Sequence, residues 1–315
     1  YARVKKETAV DCLETDFDAF LAKLQTKIKT KEVPAEMINY PWDLVNLNPT
    51  AIEDDFKFIN KPGVIEGKFS PQSVVYGDSK KVFVGKNAEI HPFVTLDTVR
   101  GPIIIDEGAT LYPYARIEGP SCVGRDAQIM IGGNIREGSS IGPMCRVGGE
   151  VEESIIHGHS NKYHDGFLGH SYVGEWVNLG AMTTNSDLKN DYGTVKLYIK
   201  GEMVDTKSTK VGSFFGDHTK TSIGTLLNTG TVVGTMCNLV GSGGVLPKFI
   251  PSFTWFFNNR IFKGYGLKSM LDTAKTAMSR RKVEMTEADV KLYEELYKFT
   301  KPERDICLKK ERSAL

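Results

Sequence analysis

Eight aliphatic residues follow one another at intervals of six: Ile105, Leu111, Ile117, Val123, Ile129, Ile135, Ile141 and Val147. With about a quarter of ordinary positions being Ile, Leu or Val, chance gives such a run on the order of once in tens of thousands. A helix demands spacing near 3.6 and a half-buried strand spacing of two, so neither carries this period. Short strands joined by turns do carry it, with one large side chain per strand pointing inward. Three such strands close a triangular coil, and stacked coils pair their backbones in parallel ladders. Glycine at a corner, as in Val123-Gly124, Ile141-Gly142 and Val147-Gly148, permits the close approach that a Cβ resists. Weaker copies flank the run: Val84, Ile90 and Leu96 before it, then Phe167, Val173 and Leu179, then Val233, Leu239 and Val245. The phase breaks between Val147 and Phe167 and between Leu179 and Val211, which predicts loops leaving the column there. The fold class is therefore mainly β.

The chain ends read differently. Phe17, Phe20, Leu21, Leu24 and Ile28 recur at helical spacing behind a capping Asp16. Tyr40 to Pro49 reads as a linker that docks Trp42. Thr286, Glu287 and Asp289 open a second helix with Val290, Tyr293, Leu296 and Tyr297 on one face. The aromatic stretch from Phe249 to Tyr265 is too irregular for the repeat and is expected to cover an open end or side of the column. Three segments follow: an N-terminal helix and linker over 1–60, the column over 61–250, and an aromatic and helical segment over 251–315.

Charge narrows the partners. Forty Lys and Arg against 39 Asp and Glu leave a net charge of +1, which excludes a broad basic face for nucleic acid but not a local phosphate site. No apolar run reaches the roughly 18 residues of a membrane span, and no secretory signal is visible, so a cytoplasmic protein without a membrane partner is expected. The five cysteines are scattered without metal-type spacing and read as reduced thiols. Four of the six histidines (His157, His159, His164 and His170) fall in the first phase break, and Asn178 to Lys196 forms a second polar stretch. Loops held by a rigid scaffold are where chemistry concentrates. His159 and His164 have a His-x4-His spacing, but no third ligand is at hand, and no metal is expected. Gly241 to Gly244 opens no helix and reads as a corner rather than a phosphate loop.

Three runs carry a resemblance: Gly148-Gly149-Glu150-Val151, Ser160 through Gly169, and Gly174 through Gly180. With the six-residue repeat they resemble the acetyltransferase part of the bifunctional GlmU-type sugar-1-phosphate nucleotidyltransferase/acetyltransferases, over roughly Tyr40 to Pro251. The resemblance implies a left-handed parallel β-helix, assembled as a homotrimer. It implies acetyl transfer from acetyl-CoA, as co-substrate, to the amine of a small-molecule amino-sugar phosphate like glucosamine-1-phosphate. The glycine-rich Leu-x-x-Gly-x-Gly-Thr-Arg run of the family's other half does not occur in these residues, so uridylyl transfer is not expected of them.

By the same resemblance His164 is the general base, a role that suits imidazole because its pKa lies near neutrality. Arg146, Lys162, Asn178, Asn185 and Lys196 are the expected substrate ligands. Ala181, Asp217 and Gly241 are the expected acetyl-CoA positions, Ala181 through a backbone N–H near the thioester. Phe167 stands where the family has a tyrosine, and the family's Arg and Lys fall nearest Met130 and Gly148, with Arg136 and Arg146 as nearby cations. His157, His159 and His170 read as structural or substrate-contacting. The competing reading is a non-catalytic, trimerising or regulatory β-helix module of a sugar-phosphate nucleotidyltransferase.

Overall fold

The computed structural model describes residues 4–14, 16–241 and 243–313. It divides into two compact units, Tyr1–Asn39 and Tyr40–Leu315. In the first, helices α1 (Lys6–Asp11) and α2 (Phe17–Lys27) pack together, and Asp16 caps α2 by accepting from the Ala19 amide at 2.9 Å.

The second unit is a left-handed parallel β-helix of about ten coils, with helices before and after it. Strands of two or three residues stack in three faces, and the eight residues at six-residue spacing all point inward with at most 1% of their surface exposed. At about 25 cal/mol per Å² of apolar area removed from water, this continuous rod of Ile, Leu and Val is the main term holding the coils together. It continues through Val151, Ile156, Leu168, Val173, Leu179 and Phe215 to Leu239 and Ile250.

The outward side chains give each face its character, because residues in register stack into ladders. The first face is apolar: Phe83, Ile104, Cys122, Ser140, Ile155, Tyr172, Phe214, Val232 and Phe249 follow in register. Helix α3 (Pro41–Ile59) covers much of it. Ile52 packs on Phe83 and Ile104, Trp42 and Val45 pack with Phe214, and Asn48 bonds the Gly138 carbonyl and the Ser140 hydroxyl. The segment expected as a linker is thus a 19-residue helix with Trp42, Val45, Asn48 and Ile52 buried at helical spacing. Pro41 at its first position and a capping box at Tyr40 and Asp43 start it.

The third face is charged. Arg116 pairs with Asp97 at 2.7 Å and Glu118 at 2.9 Å, and Arg136 pairs with Glu152 at 2.9 Å. The second face is polar, and helix α4 (Leu267–Ser279) lies along it, followed by α5 (Glu287–Phe299) and α6 (Lys301–Ser313). Thr286 caps α5 as its sequence predicts, accepting from the Asp289 amide at 3.2 Å.

Two expectations need correction. The aromatic stretch is made of strands after all: Phe249–Ile250 adds a rung to the first face, and Trp255–Phe257 pairs with Asn238-Leu239 before turning back antiparallel as Arg260–Phe262. That hairpin closes the second face without leaving a bare parallel edge. The first phase break is also a shortened side rather than a lost coil. Val151 follows Val147 after four residues, and the inward order then resumes as Ile156, Lys162 and Leu168. Phe167 points outward, beside Glu150. The second break is a true excursion, containing the hairpin Lys196–Ile199 and Glu202–Asp205.

Candidate functional site

The loop carrying His164 begins from a lysine inside the column. Lys162 occupies an inward slot next to Val147 and is 2% exposed. Its ammonium donates to the carbonyls of Gly148 at 2.9 Å, His164 at 3.4 Å and Gly166 at 2.5 Å. Burial pushes its pKa down to about 8, against the opposing pull of Asp165 and Glu150. Gly149 makes room for it: its φ is +66°, and a Cβ there would stand 2.6 Å from the ammonium nitrogen. One buried cation thus ties the His164 and Gly166 carbonyls of the loop to the Gly148 carbonyl of the preceding coil. His164 is held exposed on this loop, its ring 5.0 Å from that of Tyr163. Lys162, expected to meet a sugar phosphate, instead faces inward and positions the loop.

Asn185 also fills an inward slot. It accepts from the Gly169 amide at 2.9 Å and donates to the Gly169 carbonyl at 3.0 Å, so its amide bonds within the column rather than facing a substrate. One side of the coil on from the His164 loop, His170 lies almost wholly buried between Asp187, 2.8 Å from Nδ1, and Glu153, 3.2 Å from Nε2. Burial alone would lower its pKa; the two carboxylates outweigh it and raise the pKa to about 9.

The largest concave feature of the second face lies where α4 crosses its polar ladder. Arg146, Asn161, Asn178, Lys220, Asn238 and Trp255 stack in register, outward-facing, over five steps of about 4.8 Å. A cavity of about 560 Å³ is lined by Arg146, His159, Asn161, Trp176, Asn178 and Lys220 from the column and by Ala277, Arg280 and Arg281 from the end of α4. Arg281 donates to the Met144 carbonyl at 3.0 Å and to Asn161 Oδ1 at 2.8 Å. Burial, with Arg146 and Arg280 close by, lowers its pKa from the ordinary guanidinium value. His159 stacks on Trp176 with ring centroids 4.1 Å apart, and burial lowers its pKa.

Of the residues expected to act, Arg146 and Asn178 meet in this cavity. His164, Lys196, Ala181, Asp217 and Gly241 do not line it. Lys196 is exposed at the start of the excursion hairpin. The Ala181 carbonyl accepts from Gly224 at 2.8 Å, and the Gly241 amide donates to Ser222 Oγ at 3.1 Å. Asp217 accepts from the Glu175 amide at 2.8 Å, and burial raises its pKa. Lys220, Arg280 and Arg281 were not foreseen. Counting sixes back from Leu239 and Val233 places Thr221 inward and Lys220 outward, a signal that could have found the first of them. Nothing in the local sequence around Arg280-Arg281 says which face of the column they will meet.

Coils with inward aliphatic residues at six-residue spacing and tight corners define the class as a hexapeptide-repeat left-handed β-helix. The resemblance read from the loops is shown by the relatives as well. The chain is 26% identical over 202 residues to a bifunctional sugar-1-phosphate nucleotidylyltransferase/acetyltransferase of Sulfurisphaera tokodaii, covering 64% of this chain and 44% of that protein. It is 28% identical over 200 residues to the bifunctional protein GlmU of Methanococcus aeolicus, covering 63% of this chain and 41% of that one. The chain thus spans less than half the length of these relatives. No protein-family profile matches it. A Francisella novicida UDP-N-acetylglucosamine acyltransferase structure aligns over 75% of this chain and 76% of its own at 16% identity and a TM-score of 0.36, a likeness that carries no functional weight.

Proposed function

We propose that the protein is a CoA-dependent acyltransferase that moves acetyl from acetyl-CoA to the amine of an amino-sugar phosphate resembling glucosamine-1-phosphate, in nucleotide-sugar biosynthesis. The observation that carries this reading is the presentation of His164: an exposed imidazole on a rigid column, its loop pinned from within by Lys162. The sequence likeness to GlmU-type proteins supports it. In the proposed reaction the sugar amine attacks the thioester carbonyl while His164 takes its proton. A backbone N–H at Ala181 stabilises the tetrahedral oxyanion. Collapse breaks the carbon–sulfur bond, and the imidazolium returns its proton to the departing thiolate, leaving amide and free CoA. Arg146 and Asn178 bind the sugar phosphate, and Lys162 and Asn185 act as positioning residues. A homotrimer, in which neighbouring columns border the acyl groove, belongs to the same proposal.

A thiol-release assay with acetyl-CoA against a panel of amino-sugar phosphates tests it. His164→Ala is expected to lower turnover about a hundredfold or more with an unchanged melting temperature; unchanged turnover would remove His164 from the mechanism. The second reading, a non-catalytic trimerising module, draws on Phe167, which offers no hydroxyl, and on the inward turn of Lys162 and Asn185. Calorimetry that finds no acetyl-CoA binding would favour the module.

A further inference from the structure

Three lysines of the column are buried, and they are used differently. Lys162 is sealed inside, its ammonium surrounded by carbonyls, and Lys248 is held by the carbonyl and hydroxyl of Thr229. Lys220 stands outward on the second face between Asn178 and Asn238, so no acid adjoins it along the ladder. Among the described residues it forms no ion pair, and it donates to the His218 carbonyl at 2.9 Å. Burial lowers its pKa, and no carboxylate opposes that shift. A charged ammonium is costly in such surroundings, and the uncharged amine is not.

Lys220 also borders open space. Besides the 560 Å³ cavity it lines a second one of about 340 Å³, on the side away from the arginines. Met236, Trp255 and Met270 give this second cavity an apolar wall, and Tyr265 meets Trp255 edge to face at 4.9 Å. Ser269 and Thr273 of α4 border it with hydroxyls. A separate observation falls at the same place. His218 lines the cavity, is 3% exposed, and its buried Nδ1 has no hydrogen-bond partner. Such an orphan is rare in a folded protein and asks for a partner that the chain does not itself supply. Burial, reinforced by Lys220, pushes the His218 pKa down to about 3, so at neutral pH this ring adds no charge to the cavity. A primary amine without an acid partner, beside apolar and aromatic walls, is the setting in which lysine serves as a nucleophile rather than as a cation.

We propose that Lys220 is a covalent attachment site for a small aldehyde, held as an imine in the 340 Å³ cavity. The Nζ lone pair attacks the aldehyde carbon and the carbonyl π bond breaks, and a proton passing from nitrogen to oxygen gives a carbinolamine. The carbon–oxygen bond then breaks, the hydroxyl leaves as water with the second hydrogen of the nitrogen, and a carbon–nitrogen double bond forms. Nothing is oxidised or reduced, and water is the sole by-product. The proposal goes beyond acyl transfer, and neither His164 nor the sugar-phosphate ligands take part in it.

Reductive trapping on the full chain tests it. The protein is treated near neutral pH with benzaldehyde or glycolaldehyde and sodium cyanoborohydride, which reduces an imine to a stable amine, and the labelled lysines are read by peptide mass spectrometry. Lys220 is expected to label about tenfold or more faster than the exposed Lys80, with a rate that saturates as the aldehyde concentration rises. A greater preference for Lys220 over Lys80 with benzaldehyde assigns the body of the aldehyde to the Trp255 wall. A greater preference with glycolaldehyde assigns it to the hydroxyls of Ser269 and Thr273; either supports the proposal. Ser269→Trp, at an exposed position bordering the cavity, should slow labelling of Lys220 about tenfold and leave that of Lys80 unchanged. Labelling of Lys220 no faster than that of Lys80 overturns the proposal, as does a rate that rises linearly without saturation. Indifference to Ser269→Trp in a protein of unaltered melting temperature overturns it too. Because the readout is the label on one lysine, loss of acyl transfer in the thiol assay leaves it standing.

Discussion

His170 Nδ1 lies 2.8 Å from Asp187 and its Nε2 3.2 Å from Glu153, on a ring that is nearly inaccessible to water. Burial works against its charge and the two carboxylates overcome that, so its pKa rises from 6.5 to about 9. A folded value above the unfolded one stabilises the protein fully below about pH 6.5, and the stabilisation is lost as pH rises through about 9. The shift corresponds to about 3 kcal/mol. In denaturant unfolding at pH 6 and pH 9.5 the protein should lose about 3 kcal/mol more over that interval than His170→Asn, a variant that keeps a residue suited to the left-handed φ of 47°. Lys162→Met keeps an apolar stem in the slot but leaves the Gly148 and His164 carbonyls without their donor, while Gly166 keeps the Glu150 amide. It should cost about 2–4 kcal/mol in unfolding free energy and lower turnover by loosening the His164 loop. At this scale the sequence revealed a lysine beside the histidine but not where its ammonium points.

Along an element, the six-residue period separates neighbours that composition cannot. Ile129 is fully buried in the column and Ile131, two residues on, is 69% exposed at a corner. Ile129→Ala should cost about 3 kcal/mol, measured by denaturant unfolding. Ile131→Ala should stay within about 0.5 kcal/mol. The period was readable over Ile105 to Val147 because each coil there repeats at full length. It failed at Val151 because one side is two residues shorter and the next, to Ile156, one residue shorter, and those slips hid the inward positions of Lys162 and Leu168. Helix α3 escaped notice because its Asn, Pro and Asp residues resemble a linker. What makes it a helix is an apolar face that needs covering, running from Phe83 to Phe249.

For the whole molecule, the far end of the column is closed by the 255–262 hairpin and by α6, whose Arg304 donates to the Tyr297 carbonyl at 2.8 Å and lies 4.0 Å above the Tyr297 ring, with Cys307 and Leu308 packed on the core. Truncation after Pro251 would bare the ladder edge at Asn238-Leu239 and the core behind it. Such a chain should sediment as aggregates while the full chain does not. The sequence by itself determined the column, since a period of six is a local rule that each coil obeys with its own residues. Only the tertiary structure decided which polar residues turn inward, and that Arg146 and Arg281 share one cavity. Those depend on a shortened side and on a helix returning from more than a hundred residues away, and both are settled by how the faces pack rather than by any local pattern.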